Sequence, residues 1–140
     1  MILTLSLGIL FLLLAAIHFN WALGGTFGFE RSLPTNEKGD RVLNPKKVDS
    51  AIVGMALLVF GLFYTIQSGV LAVNMPTWAF RYGGWIIPTT FLLRAMGDFK
   101  YVGFFKKIRK TPFAKLDTRL FSPLCLLIGA MGILVQLRVG

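Results

Sequence analysis

The sequence predicts an all-α membrane protein, in which four transmembrane helices form an up-down bundle as a single domain over residues 1–140. Hydrophobic residues make up 55% of the chain and charged residues only 15%, whereas soluble domains are about a quarter charged. The charges are also unevenly placed, since residues 2–29, 51–73 and 120–137 contain none. A helix of about 20 residues crosses the roughly 30 Å hydrocarbon core, so each of these stretches is long enough to span a bilayer.

The first two spans follow from these uncharged runs and from the residues that end them. Span one is predicted over about residues 2–23, because two glycines follow directly. A polar segment rich in proline and glycine comes next and is typical of a loop. Asp49 and Ser50 then offer a helix N-cap, so span two is predicted over about residues 50–73.

The last two spans contain more helix-breaking residues. Pro76 suits the start of a helix, which places span three over about residues 77–97, with a kink expected at Pro88. Span four is predicted over about residues 118–138. Only helices and closed barrels satisfy the backbone within lipid, and these runs lack the alternation of barrel strands.

The segment between spans three and four predicts a short amphipathic interfacial helix. Its aromatic and aliphatic residues follow the i, i+3, i+4, i+7 spacing of one helix face: Tyr101, Phe104, Phe105 and Ile108. Its lysines lie away from that face: Lys100, Lys106, Lys107 and Lys110. Such a helix lies on a membrane surface. Anionic lipids are therefore its expected partners, at about 1 kcal/mol of attraction per nearby cation.

The basic residues also predict the orientation. Of the 15 Lys and Arg, all but Arg81 and Arg138 lie in or beside the first and third connecting segments. Basic segments face the cytoplasm, so both termini are expected outside. The net charge of +9 is therefore expected to favour contact of the basic segments with the membrane surface, and no nucleic acid partner is expected.

A candidate ligand-binding site lies near the cytoplasmic end of the predicted bundle. His18 and Trp21 share a stripe of small and polar residues that is typical of a helix–helix interface. Arg94 and Asp98 are one turn apart, so they can pair on one face of span three. Because spans one and three run in the same direction, we expect these four side chains at similar depth.

Glu30, Asp117 and Arg119 border the same rim as secondary candidates. Carboxylates near a histidine can do acid–base work, but solvated ends of spans are the simpler interpretation. A single histidine cannot build a typical zinc site, so no metal is expected. No phosphate-binding loop, Cys-x-x-Cys pair or serine nucleophile motif is present, so no cofactor is expected and no catalytic residue is assigned.

Three segments resemble an uncharacterised family of small bacterial membrane proteins, known only as a domain of unknown function. They are HFNWALGG at residues 18–25, RAMGDFKYVGFF at residues 94–105 and LDTRLFSPLC at residues 116–125. The resemblance extends over nearly the whole chain and implies four spans in the bacterial cytoplasmic (inner) membrane. It supplies no activity, but its motifs fall on the candidate residues, which favours one shared site.

The sequence favours binding or transport of a small amphiphilic or anionic ligand, held by Arg94 and His18 with Trp21 as an apolar wall. One alternative is a membrane-embedded enzyme acting on a lipid-like substrate, with Asp98, Glu30 or His18 as general base. Another is an accessory or immunity-type subunit of a membrane complex, and a homo-oligomer or a membrane-protein partner is left open. The spans hold no acidic residue, which argues against a proton-driven exporter.

Overall fold

The computed structural model describes residues 2–25, 38, 47–97, 103–107, 109 and 111–139, and these residues are helical or irregular, with no strand among them. The helices are α1 (Ile2–Ala22), α2 (Lys47–Gln67), α3 (Thr77–Met96), α4 (Pro112–Leu116) and α5 (Ser122–Val139). A π-helical turn, Asp117–Phe121, joins α4 directly to α5. The predicted all-helical class is confirmed.

Three helical stretches of the described chain are long and apolar enough to cross a membrane: Ile2–Ala22, Lys47–Gln67 and Phe113–Arg138. The remaining long helix, α3, has 20 residues, which corresponds to about 30 Å. It carries Arg81 and Arg94 and is not among the three. The structure therefore supports a membrane protein with three candidate spans.

Three helix ends differ from the predicted ones. Helix α2 begins at Lys47, which places Asp49 within its first turn and not at its N-cap. Helix α2 ends at Gln67, before the apolar residues that were expected to extend it to residue 73. It ends because Gly69 has φ 89°, a left-handed conformation that closes helices and that glycine adopts without steric cost. The helix that leads into α5 begins at Pro112, six residues earlier than expected, where the Thr111 side chain accepts a hydrogen bond from the amide of Ala114.

The predicted interfacial helix is wrong for the residues that are described. Tyr101 and Ile108 lie outside them, but residues 103–107 form bends and turns, not helix. The reason is Gly103, whose φ of 89° interrupts a right-handed helix in the middle of the proposed apolar face. The aromatic residues are spaced as on one face of a helix, but the backbone of residues 103–107 is not helical.

Helices α1 and α2 approach each other closely through glycines. A Cβ atom added at Gly8 would lie 3.2 Å from the carbonyl oxygen of Gly61, and one at Gly54 would lie 3.0 Å from the Phe19 ring. Because the earlier residue of α1 faces the later residue of α2, the two helices run in opposite directions. Small residues at such contacts allow helices to pack closely within lipid.

Helices α3 and α5 form a second antiparallel pair. A Cβ atom at Gly132 would lie 2.8 Å from the Cβ of Pro88, so this glycine provides the space for the buried proline ring. Further along, Gly84 lies against the side chain of Gln136. The amide nitrogen of Gln136 lies 3.4 Å from the carbonyl oxygen of Arg81, so the buried glutamine is bonded to α3.

An aromatic cluster joins the two helix pairs. Phe11 of α1 is fully buried, and its ring is stacked on that of Tyr64 in α2, with centroids 5.7 Å apart and planes at 6°. The same ring meets Phe91 of α3 at 5.1 Å. Offset stacked and tilted arrangements at these separations are favourable for aromatic pairs. The core of the protein therefore lies where the two helix pairs meet, and Ile128 and Val135 of α5 also belong to it.

Candidate functional site

The most buried charged group of the described chain is Asp117, in the π-helical turn between α4 and α5. Its exposure is 0%, so its interpretation as a solvated end of a span is wrong. A π-helical turn adds one residue to the normal helical spacing and is frequent at functional sites. An isolated buried carboxylate would strongly destabilise the folded protein, so neighbouring cations and hydrogen-bond donors must offset the cost of burying this one.

Four donors surround the Asp117 carboxylate. Its Oδ2 atom accepts hydrogen bonds from the amide of Gly103 at 2.7 Å and from the hydroxyl of Ser122 at 3.1 Å. The ammonium of Lys106 lies 3.1 Å from the same oxygen. The Oδ1 atom accepts a bond from an Arg94 guanidinium nitrogen at 3.1 Å. The carboxylate is therefore paired with two cations, and both of its oxygens accept hydrogen bonds.

Lys106 is as deeply buried as its partner, with a side-chain exposure of 0%. Besides the carboxylate, its ammonium donates to the carbonyl oxygen of Gly103 at 2.9 Å and to the hydroxyl of Thr118. An ammonium has three donors, and all three are used. The expectation that Lys106 faces anionic lipid from an interfacial helix is therefore wrong, because the ion pair draws it inward.

Gly103 fits this site because the loop backbone folds against the end of α3. The Phe104 amide donates to the carbonyl oxygen of Ala95 at 2.8 Å. A Cβ atom at Gly103 would collide with the carbonyl oxygen of Met96 and would lie 2.5 Å from the Cα of Gly97. Only a glycine permits both this approach and φ 89°, which together bring its amide to Asp117.

Arg94 links the buried pair to the surface. It lies in the last turn of α3, and its side chain is 35% exposed. One guanidinium nitrogen contacts Asp117, whereas the other, Nη1, is shielded from solvent and has no hydrogen-bond partner among the described residues. Within this cluster two cations face one carboxylate. The described residues of the cluster therefore carry one unbalanced positive charge and one guanidinium nitrogen without an acceptor among them.

His18 and Trp21 form a separate contact on α1. Their rings are tilted at 59° with centroids 4.7 Å apart, and the His18 Nδ1 atom lies 2.8 Å from the carbonyl oxygen of Leu14 one turn earlier. These contacts are local to α1. They fix the orientation of the imidazole, but they do not by themselves join it to Arg94.

The remaining sequence candidates divide into two groups. Asp98 and Glu30 lie outside the described residues, so the expected pairing of Arg94 with Asp98 stays a prediction. Arg119 is exposed. The structure thus brings Arg94 and Asp117, two candidates from different segments, into direct contact.

Lys106, Gly103 and Ser122 were missed as site residues. The glycine offered a signal, because it interrupts the apolar pattern in which the loop helix was predicted. The other two offered none, since a lysine among lysines and a serine at a helix start have ordinary explanations.

A family model described as a protein of unknown function (DUF3995) matches residues 11–132. The match confirms the expected membership of an uncharacterised family, and the matched range contains Arg94, Gly103, Lys106 and Asp117. No curated protein and no solved structure matches the chain. The chemistry of the site must therefore be argued from its own geometry.

Proposed function

The chain belongs to DUF3995, a family of unknown function, and from that premise we propose that it is a multi-pass membrane protein that binds a small anionic amphiphile at Arg94. The observation that carries the proposal is the Nη1 atom of Arg94, which is shielded from solvent and has no partner among the described residues. A charged donor without an acceptor is costly, and a carboxylate or phosphate oxygen would satisfy it.

The charge balance supports an anion over a neutral or cationic ligand. Lys106 and Arg94 both face Asp117, so the described cluster carries a surplus of one positive charge. The Lys106 ammonium is saturated by its three acceptors. The surplus therefore falls on Arg94, whose side chain is 35% exposed.

The proposal includes four spans in an up-down bundle, with α3 as the fourth. Helix α3 has the length to cross a bilayer, and Arg81 and Arg94 lie near its two ends, from which long basic side chains reach the interfaces. The proposed location is the bacterial inner membrane, with both termini outside. The clustering of basic residues in the first and third connecting segments supports this orientation.

His18 and Trp21 are proposed to form the wall of the same site. Phe11 and Phe91 are in ring contact, and the proposed bundle makes α1 and α3 parallel. His18 lies two turns beyond Phe11 and Arg94 one turn beyond Phe91, so both side chains lie toward the same end. An aromatic wall beside a cation suits the acyl chain and headgroup of an amphiphile.

Native mass spectrometry of the protein released from mild detergent tests the proposal. The wild-type protein is expected to retain an anionic amphiphile, and Arg94→Gln to lose it. Arg119→Gln is the matched control, because it removes an exposed arginine of the neighbouring π-helical turn and leaves the cluster intact. Equal retention by Arg94→Gln would contradict the proposal.

The same spectra separate the alternatives. An accessory or immunity-type subunit would retain a protein partner with no amphiphile, which would contradict ligand binding at Arg94. Conversion of a bound lipid to a product of different mass would support the enzyme, for which His18, Asp98 and Glu30 are the candidate bases.

A further inference from the structure

A cavity of about 640 Å³ lies at the other end of α3, between the end of α2 and the start of α3. Its volume falls within the range of about 300–1,000 Å³ that is usual for small-molecule sites. The lining comes from the last turn of α2, the irregular segment that follows and the first turns of α3: Ile66, Gln67, Gly69, Leu71, Ala72, Val73, Asn74, Met75 and Phe80. None of these lining residues is charged.

The polar group that stands out in this lining is the side-chain amide of Gln67. Both its nitrogen and its oxygen are shielded from solvent, and neither has a hydrogen-bond partner among the described residues. Buried polar atoms in native proteins are nearly always bonded. An amide that lacks both an acceptor and a donor therefore points to a partner that supplies both.

The other buried glutamine near this end behaves differently. Gln136 of α5 has an exposure of 5%, and its amide nitrogen lies 3.4 Å from the carbonyl oxygen of Arg81. Its side chain packs against Gly84, whose missing Cβ makes room for it. A shielded glutamine amide in this protein is therefore able to find a partner, whereas that of Gln67 has none among the described residues.

We propose that this cavity is a second binding site, and that its ligand is an uncharged amphiphile whose headgroup both donates and accepts a hydrogen bond, as the hydroxyls of a monoacylglycerol do. The Gln67 side chain, whose amide atoms are shielded in this structure, turns toward the cavity on binding and bonds the headgroup through its oxygen and its nitrogen. The aliphatic and aromatic lining covers the first part of the acyl chain. An ionised headgroup gains no ion pair there, because no lining residue is charged.

This site is independent of the anion site at Arg94. The two lie toward opposite ends of α3, one beside its first turns and the other in its last turn. They also select ligands of different charge. Loss of one site by mutation should therefore leave the other unchanged.

Competition between two acyl probes tests the proposal on the purified full-length protein in detergent. Monoolein carries free hydroxyls, whereas methyl oleate has the same acyl chain and can only accept hydrogen bonds. The wild-type protein is expected to bind monoolein about tenfold more tightly, since only monoolein can donate a hydrogen bond to the Gln67 amide oxygen, which methyl oleate would leave without a partner. Gln67→Met, which keeps the side-chain shape and removes the amide, should abolish this preference.

Gln136→Met is the matched control and should retain the preference for monoolein. Equal binding of the two probes by the wild-type protein, or an unchanged preference in Gln67→Met, would overturn the proposal.

The thermal stability of the ligand-free protein provides a second measurement. Gln67→Met removes an amide without partners, so the midpoint of unfolding should rise or stay level, whereas Gln136→Met breaks a hydrogen bond and should lower it. A marked loss of stability in Gln67→Met would show that its amide is bonded within the protein, and this would overturn the proposal.

Discussion

The ammonium of Lys106 lies 3.1 Å from the carboxylate of Asp117, and neither side chain is exposed to solvent. This pair ties the loop after α3 to the turn that begins α5. Arg94 completes the cluster from the end of α3. Three segments that are separate in sequence thus meet at one charge, and the stability of this end of the molecule should depend on it.

Asp117→Asn should strongly destabilise the protein, because it leaves the buried Lys106 ammonium without a counter-charge. Breaking a buried ion pair by removing one partner typically costs about 3–5 kcal/mol. Thermal unfolding in detergent measures the change. Lys115→Gln, which alters an exposed lysine two residues away, is the control and should have little effect.

The double change Asp117→Asn with Lys106→Met should recover much of that loss, since it removes the uncompensated charge as well. If Asp117→Asn alone unfolds at the wild-type temperature, the pair contributes little and its burial in solution is contradicted.

Gly103→Ala should cost more stability than Gly69→Ala. Both glycines have φ 89°, so each alanine carries a backbone strain of about 1–2 kcal/mol. At Gly69 a Cβ atom meets nothing within 4 Å, whereas at Gly103 it collides with the backbone of Met96 and Gly97. The difference between the two unfolding midpoints measures how much the packing of the loop on α3 contributes to stability. Equal losses would contradict that packing.

Cysteine labelling of intact cells should show that α3 crosses the membrane. The chain has one cysteine, so Cys125→Ala provides the background for Asn74→Cys before α3 and Lys107→Cys after it. An impermeant maleimide added outside is expected to label the first variant and not the second, which should react only after lysis. Similar labelling of both variants in intact cells would mean that α3 does not span the bilayer.

Much of the helical architecture could be predicted because uncharged runs of spanning length have few structural alternatives in lipid. The ends of helices were less predictable. The apolar residues after Gly69 looked like more of α2, because hydropathy does not record the left-handed glycine that ends the helix. In the same way, an aromatic periodicity around Gly103 predicted a helix where the backbone turns.

The site was only half predictable for a different reason. The requirement that a charge near a span find a partner drew attention to Arg94, and local spacing pointed to Asp98, which is one turn away and lies outside the described residues. The partner in the described structure is Asp117, more than twenty residues later. Such a long-range pair, and the burial of Lys106 beside it, depend on how a loop folds back, and no spacing rule in a single sequence contains that information.

The most direct test of ligand binding at Arg94 compares the affinity of oleate for the wild-type protein and for Arg94→Lys, with the neutral analogue oleyl alcohol as control. A lysine keeps the positive charge beside Asp117 but has no second guanidinium nitrogen to offer. We predict that Arg94→Lys remains folded, binds oleyl alcohol as the wild type does, and binds oleate at least about tenfold more weakly, as loss of one charged hydrogen bond implies. Unchanged oleate affinity in Arg94→Lys would contradict the proposed role of Arg94.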